Sequence, residues 1–239
     1  MRGDTGFPVR LRFAKRGRVR FISHRDVARA FERALRIEQM PLAFTEGFSP
    51  RPKVSFGLAL PVGYESDAEY LDIELAETID PDELAGPLTA ALPEGMHVTG
   101  ATALQDRAPA LQEAVSSVSY QIEVEQPGSM PRSDDLARSV DQVLAAPSLV
   151  VTRRRKGVDI EEDVRPALRL LRAAGPAMLH LEVGTQPHGV RPTAVVAAFP
   201  GDWSTRTVLR TKQWIERGGA RLEPLEADTR PRVPEACAS

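Results

Sequence analysis

The spacing of apolar residues changes from every second to every third or fourth residue near the N-terminus, and this change constrains the fold most. Residues 9–13 alternate apolar side chains with arginines, which is typical of a strand buried on one face. Over residues 27–35 the apolar positions follow helical spacing, which predicts an amphipathic helix. Ser23 and Asp26 have the spacing of an N-terminal capping box.

Further patterns extend this beginning into a β-α-β-β-α-β order over residues 8–104, which is the order of a ferredoxin-like module. A looser version, with an extra hairpin at 149–160, follows over residues 117–220. The sequence therefore predicts an α+β chain of two tandem ferredoxin-like modules with antiparallel sheets. Proline and charge dominate residues 221–239, which predicts a disordered tail.

Several elements of the first module can be predicted individually. We expect a short return strand over 19–22, a strand over 53–60 and an acidic helix over 81–92. Residues 47–52 cannot form a helix, because two prolines fix their own φ angles and restrict the residues before them.

Composition excludes several classes of protein. A single cysteine, Cys237, rules out a disulfide scaffold and an iron–sulfur cluster held within the chain. The sequence has no run of 18 apolar residues, which excludes a transmembrane helix, and residues 1–8 lack the apolar core of a secretory signal. We therefore expect a cytoplasmic protein without membrane contact, and predict neither a cofactor nor a metal ion.

Charge is distributed unevenly, although the formal net charge is −2. Residues 1–60 contain 13 Lys and Arg against 5 Asp and Glu, whereas residues 61–150 contain 3 against 17. The basic segment indicates a surface for a polyanion, provided that its cations meet in space. The acidic segment would repel RNA and suits a basic protein partner instead.

Four arginines lie on one side of the predicted first helix, opposite its apolar face. At 100° per residue they fall within about 80° of one another. Guanidinium groups bind phosphate through paired hydrogen bonds, so this arginine ridge favours contact with RNA; the alternative is an ordinary solvated helix surface. The ridge consists of Arg25, Arg29, Arg33 and Arg36.

The loop after this helix combines an aromatic residue with cations. Phe48 is placed to stack on a base, and Arg51 and Lys53 to hold phosphates, although a well-packed loop is equally compatible with the sequence. A run of cations at the predicted hairpin of the second module is either a phosphate contact or a solvated tip. The candidate RNA-binding residues are Lys15, Arg20, His24, Arg25, Arg29, Arg33, Phe48, Arg51, Lys53, Arg153, Arg154 and Arg155.

His24 lies in the first turn of the predicted helix, beside Lys15, Arg20 and Arg25. The positive end of the helix dipole favours a neutral imidazole there. Such a group can take a proton from a ribose 2′-hydroxyl while the cations hold the phosphate. Two other interpretations stay open, namely that His24 contacts a ligand without catalysis and that it stabilises the start of the helix.

Three segments carry a resemblance to a known family: RLRFAKRGRVRFISHRDVARAFERALR, GFSPRPKVSFG and AEYLDIEL. Together they resemble the radical-SAM-linked proteins of unknown function, which occur as separate chains or as the C-terminal part of larger radical-SAM proteins. The similarity is dense over roughly the first 75 residues and looser afterwards. It implies a separately encoded radical-SAM enzyme as partner, because this chain has no CxxxCxxC run that would hold the cluster.

These observations predict a non-catalytic RNA-binding accessory protein that presents structured RNA, such as tRNA or rRNA, to a radical-SAM modifying enzyme. One alternative is a metal-independent endoribonuclease with His24 as general base. Tandem ferredoxin-like modules with a histidine near the first helix are similar to RAMP-type CRISPR repeat-processing endoribonucleases, but this chain lacks their glycine-rich loop near the C-terminus. Another alternative is a protein-binding adaptor without RNA contact.

Overall fold

A computed structural model describes residues 6–105, 108–128, 134–155 and 157–230. The strands are β1 (Phe7–Lys15), β2 (Val54–Phe56), β3 (Glu65–Leu75), β4 (Met96–Ala103), β5 (Ser117–Glu125), β6 (Val150–Arg155), β7 (Val158–Asp163), β8 (Leu168–Ala173), β9 (Met178–Gly184), β10 (Ser204–Arg217) and β11 (Ala220–Leu222). The helices are α1 (His24–Ile37), α2 (Ala85–Ala91), α3 (Leu111–Ala114), α4 (Asp135–Ala145) and α5 (Pro192–Ala197).

One mixed sheet runs through both halves of the described chain. Its strands follow the order β4-β1-β3-β10-β5-β9-β8, with β2 added to β3 and β11 added to β10. The two halves meet where β3 runs parallel to β10, with Leu209 and Arg210 beside Glu65 and Ser66; the other strand pairs are antiparallel. The predicted α+β class is confirmed, but the sheet is continuous, because β3 is long enough to pair with β10 at its start and β2 near its end.

Helix α1 forms where the sequence predicts it and packs on the sheet. Ser23 caps it, with its hydroxyl oxygen accepting a hydrogen bond from the amide of Asp26. Phe31 packs edge-to-face against Phe13 of β1, with 4.6 Å between ring centroids. None of the helices in the described ranges has the length and apolar character needed to cross a membrane.

Three predicted elements of the first half differ in the structure. Residues 19–21 belong to a 3-10 helix, Gly17–Phe21, which Ile22 follows as its C-terminal cap, and the return strand predicted over 19–22 does not form. The strand predicted over 53–60 is limited to β2, because the carbonyls of Leu58 and Ala59 accept hydrogen bonds from Arg210 and do not continue a ladder. The helix predicted over 81–92 begins as a separate 3-10 turn and continues as α2.

The end of the described chain forms a C-terminal strap, residues 220–230, across the sheet face opposite α1. The strap starts as β11 on β10 and reaches the end of β4, where Thr229 pairs with Leu104. Leu225 lies over Gly100, where an added Cβ would come within 2.8 Å of the leucine side chain. This order differs from the disorder predicted for 221–239, and residues 231–239 lie outside the described residues.

A buried ion pair lies beneath the strap. Arg10 of β1 is fully buried, and its Nε and Nη2 donate to the two carboxylate oxygens of Asp72 on β3 at 2.7 and 2.8 Å. Its Nη1 donates to the carbonyl of Pro224 in the strap at 3.2 Å. The pair therefore links β1 and β3 to the strap.

We expect Asp72→Ala to lower the free energy of unfolding by roughly 3–5 kcal/mol, because it leaves the Arg10 guanidinium buried without its counter-charge. Urea denaturation of the full chain measures this change. Asp141→Ala is the matched control, since Asp141 is exposed on α4, and it should change stability by no more than about 0.5 kcal/mol. Equal effects of the two substitutions would contradict a structural role for the buried pair.

Candidate nucleic-acid interface

The arginine ridge occupies the exposed side of α1. All four of its arginines are exposed, while the apolar side chains of the helix face the sheet. Arg29 pairs with Asp26 of its own helix at 3.4 Å. Within the described ranges, Arg25, Arg33 and Arg36 have no acidic side chain within ion-pair distance. Three guanidinium groups on one helix face are thus available for an external anion.

A shallow groove runs beside the ridge, between α1 and the end of α2. Asp26, Arg29, Ala30 and Arg33 line one side of it, and Leu92 and Pro93 line the other. The arginines therefore border a concave surface, which allows an anion to contact more than one of them.

The loop over residues 45–51 extends an aromatic side chain into solvent. Its neck is closed by a hydrogen bond from the Thr45 amide to the Arg51 carbonyl at 2.9 Å and by one from the Arg51 amide to the Thr45 hydroxyl at 3.1 Å. Phe48 at the tip has a relative exposure of 110%. Its ring is therefore unpacked, and Arg51 at the neck is also exposed.

Three of the predicted cations make internal contacts instead. Lys15 is only 2% exposed, and its ammonium donates to the carbonyls of Arg20 and Ile22 at 3.2 and 3.1 Å. Burial lowers the pKa of Lys15, and the nearby Glu69 partly offsets this effect. Lys15 therefore anchors the 3-10 helix to β1 and does not reach the surface.

Arg20 and Lys53 are each near an acidic residue. Arg20 lies 3.6 Å from Glu65 and also contacts the ring of Phe21. Lys53 lies 3.0 Å from Glu74. Both are half-buried, so each is less available to an external phosphate than the exposed arginines of the ridge.

His24 begins α1 and is exposed. Its ring meets the ring of Phe56 edge-to-face, with 5.3 Å between the centroids. It also borders a small pocket together with Lys15 and Glu69. Among the described residues, no side chain forms a hydrogen bond with the imidazole, so the geometry gives His24 an aromatic neighbour and no acid–base partner.

The basic run of the second half lies on a separate hairpin. β6 carries the backbone of Arg153, Arg154 and Arg155, and among the described strands it pairs only with β7. Lys156 lies outside the described residues. β6 and β7 form a separate two-stranded sheet, so these three positions do not belong to the sheet that carries α1.

Arg210 is a buried cation of β10. It is 3% exposed and pairs with Glu69 at 2.9 Å, so it does not contribute to a basic surface. A register shift between Arg210 and Lys212 interrupts the alternation of β10. The residue types in this part of the sequence do not predict this register shift.

Comparison with known proteins gives one family and several distant structures. The family model described as an uncharacterized protein conserved in bacteria (DUF2344) matches residues 9–192. No curated protein matches the chain. A chain in the crystal structure of a Cbf5-Nop10-Gar1 complex is similar with a TM-score of 0.47 and 10% identity, over 89% of this chain and 54% of that chain.

Two further structures give comparable values. One is the crystal structure of the archaeal box H/ACA sRNP Nop10-Cbf5 complex, with a TM-score of 0.44 and 10% identity over 86% of this chain and 47% of the other. The second is the structure of an H/ACA RNP bound to a substrate RNA containing 2′-deoxyuridine. Its TM-score is 0.45 and its identity 11%, over 89% of this chain and 53% of the other. The chain spans about half the length of the structures that it matches.

The exposure of Phe48 predicts that its ring contributes nothing to folding. Phe48→Ala should change the free energy of unfolding by no more than about 0.5 kcal/mol. Phe31→Ala removes a fully buried ring and should cost roughly 3–5 kcal/mol. Urea denaturation of both variants makes the comparison, and a loss above about 1 kcal/mol for Phe48→Ala would show that the loop packs its ring.

Proposed function

The chain belongs to the DUF2344 family of uncharacterized proteins conserved in bacteria, and we propose that it is a non-catalytic accessory protein that binds RNA. The observation that carries this proposal is the arginine ridge, where three exposed guanidinium groups have no acidic partner among the described residues. Neighbouring positions on one helix face lie about 5–6 Å apart at Cβ, so successive phosphates of one strand can each meet a guanidinium.

The exposed loop supplies the second part of the interface. Phe48 offers an unpacked ring for stacking on a base, and Arg51 is exposed at the neck of the same loop. The loop follows α1 after a short connection in the sequence, and we propose that one RNA contacts ridge and loop together. We place structured RNA with an unpaired segment, as in tRNA or rRNA, on this surface.

We propose that the enzyme served by this protein is a separately encoded radical-SAM RNA-modifying enzyme. The support for this partner is the resemblance of the segments around α1, the loop and β3. In this arrangement the accessory protein provides affinity and the enzyme provides the reaction.

We also propose that each half is a ferredoxin-like module, with boundaries at 8–104 and 117–220. The support is the strand order. The first half contributes β4-β1-β3-β2 and the second β10-β5-β9-β8, with α1 and α2 in the places that α4 and α5 take in the second half. In this interpretation β6 and β7 are an insertion in the second module.

The ridge predicts salt-sensitive RNA binding. Each phosphate contact to a single strand contributes about 0.7 to the slope of log affinity against log salt, so Arg25→Gln with Arg33→Gln should reduce the slope by about 1.4. The measurement is binding of a tRNA and of an unstructured oligoribonucleotide across a salt series. Arg138→Gln with Arg172→Gln is the control, since it removes two exposed arginines outside the ridge.

The same experiment separates the alternatives. An unchanged slope in the ridge variant would contradict the proposed interface. A gel of the RNA after incubation should show it intact; fragments that disappear in His24→Ala would establish the endoribonuclease instead. Absence of binding at low salt would leave the protein-binding adaptor.

Stacking by Phe48 predicts a loss of RNA affinity that does not depend on salt. Phe48→Ala should weaken binding of the single-stranded oligoribonucleotide by roughly 5- to 150-fold, the equivalent of 1–3 kcal/mol for one stacked base, without changing the salt slope. Phe48→Tyr should retain affinity, because it keeps the aromatic ring. A loss in both variants, or a changed slope, would argue against stacking.

A further inference from the structure

A cleft of about 200 Å³ lies where the two halves meet. The first half contributes Leu58, Ala59 and Pro61, which follow β2. The second half contributes Val118 of β5, Val183 of β9 and the residues that lead into α5. Clefts between structural units are frequent sites for small ligands, and this one has walls from both sides of the junction.

The lining of the cleft combines apolar walls with cations and lacks an acid. Two arginines, Arg191 and Arg210, are the charged residues that line it within the described ranges. The charge of Arg210 is neutralised by Glu69, whose Oε1 lies 2.9 Å from the Nη1 of the arginine. Arg191 is exposed and has no ion-pair partner among the described residues. The cleft therefore suits a ligand with an apolar body and an anionic group at the Arg191 end.

Two further lining residues limit the chemistry of the ligand. Tyr120 lines the cleft with its aromatic side chain. Gln112 also lines it, and its amide nitrogen donates to the carbonyl of Phe56 at 2.7 Å, which leaves the amide oxygen free to accept from a ligand N–H. The volume lies below the 300–1,000 Å³ that is usual for drug-sized ligands, so the cleft admits one ring system and not an extended chain.

The cleft lies close to the start of the arginine ridge. His24, the first residue of α1, contacts Phe56, and Leu58 two residues later is part of the cleft wall. A strand that follows the ridge towards the start of α1 therefore approaches the cleft. This connection favours a nucleotide over other anions with an apolar body.

We propose that the cleft binds one nucleoside monophosphate unit, with the base between the apolar walls and the phosphate at Arg191. The unit is either a free nucleotide or one nucleotide of a bound RNA. The choice of a nucleotide over other anions rests on the RNA-binding function proposed above, whereas the cleft, its apolar walls and Arg191 do not.

Calorimetric titration of the full chain with AMP and UMP tests the site. Arg191→Gln removes the cation, and we expect at least a tenfold loss of affinity, about the strength of one charge-assisted hydrogen bond. Gly189→Leu adds a large side chain at a residue that lines the cleft. An added Cβ at Gly189 has no heavy atom within 4 Å, so this variant should fold with wild-type stability, and we expect it to lose nucleotide binding. Arg138→Gln serves as the control and should bind like the wild type.

The outcomes separate this proposal from the RNA-binding function. No nucleotide binding by the wild type, or equal affinity in the wild type and both cleft variants, overturns the cleft site even if the salt-sensitive RNA binding is observed. Nucleotide binding that the two variants lose supports the site even if RNA does not bind. Inorganic phosphate that binds as tightly as the nucleotides would also overturn it, because the base would then contribute nothing.

Competition identifies the source of the nucleotide. If the cleft takes a nucleotide of the RNA, saturating UMP or AMP should weaken binding of the oligoribonucleotide to the wild type and have no effect on Gly189→Leu. If the ligand is free nucleotide, oligoribonucleotide binding should not respond, while the nucleotide still binds. Either pattern supports the cleft as a nucleotide site.

Discussion

The pairing of β1 with β3 places a basic strand directly beside an acidic one, and the distribution of charge over the molecule depends on it. Arg10 of β1 forms an ion pair with Asp72 of β3, and Arg16, directly after β1, forms one with Asp67 of β3. These ion pairs partly neutralise the excess of cations in residues 1–60 and of acids in residues 61–150. The cations that this pairing leaves free are those that point away from the sheet, chiefly on α1.

Much of α1 and of its surface can be predicted from sequence because the signals are local. The cap at Ser23, the apolar spacing through Phe31 and the exposed arginines all lie within the 14 residues of α1 or directly before them. Phe48 is likewise predictable as a loop residue, since the neighbouring prolines exclude a helix. In each case the deciding interactions involve residues close together in the chain.

The remaining features depend on contacts that the spacing of apolar residues does not show. Lys15 is buried because the 3-10 helix and Ile22 directly after it, and not the expected strand, supply carbonyls to its ammonium. Arg210 turns inward at a register shift and meets Glu69, which is 141 residues away in sequence. The junction cleft has the same origin, since its walls come from segments more than 100 residues apart. Local periodicity carries no information on such contacts.

The C-terminal strap also has a consequence for how the protein opens. It begins on β10 in the second half and ends beside β4, the far edge of the first half. The direct ladder between the halves is short, with two residue pairs between β3 and β10. Unfolding of the first half must therefore release the strap from β4, so the strap links the stability of the first half to that of the second.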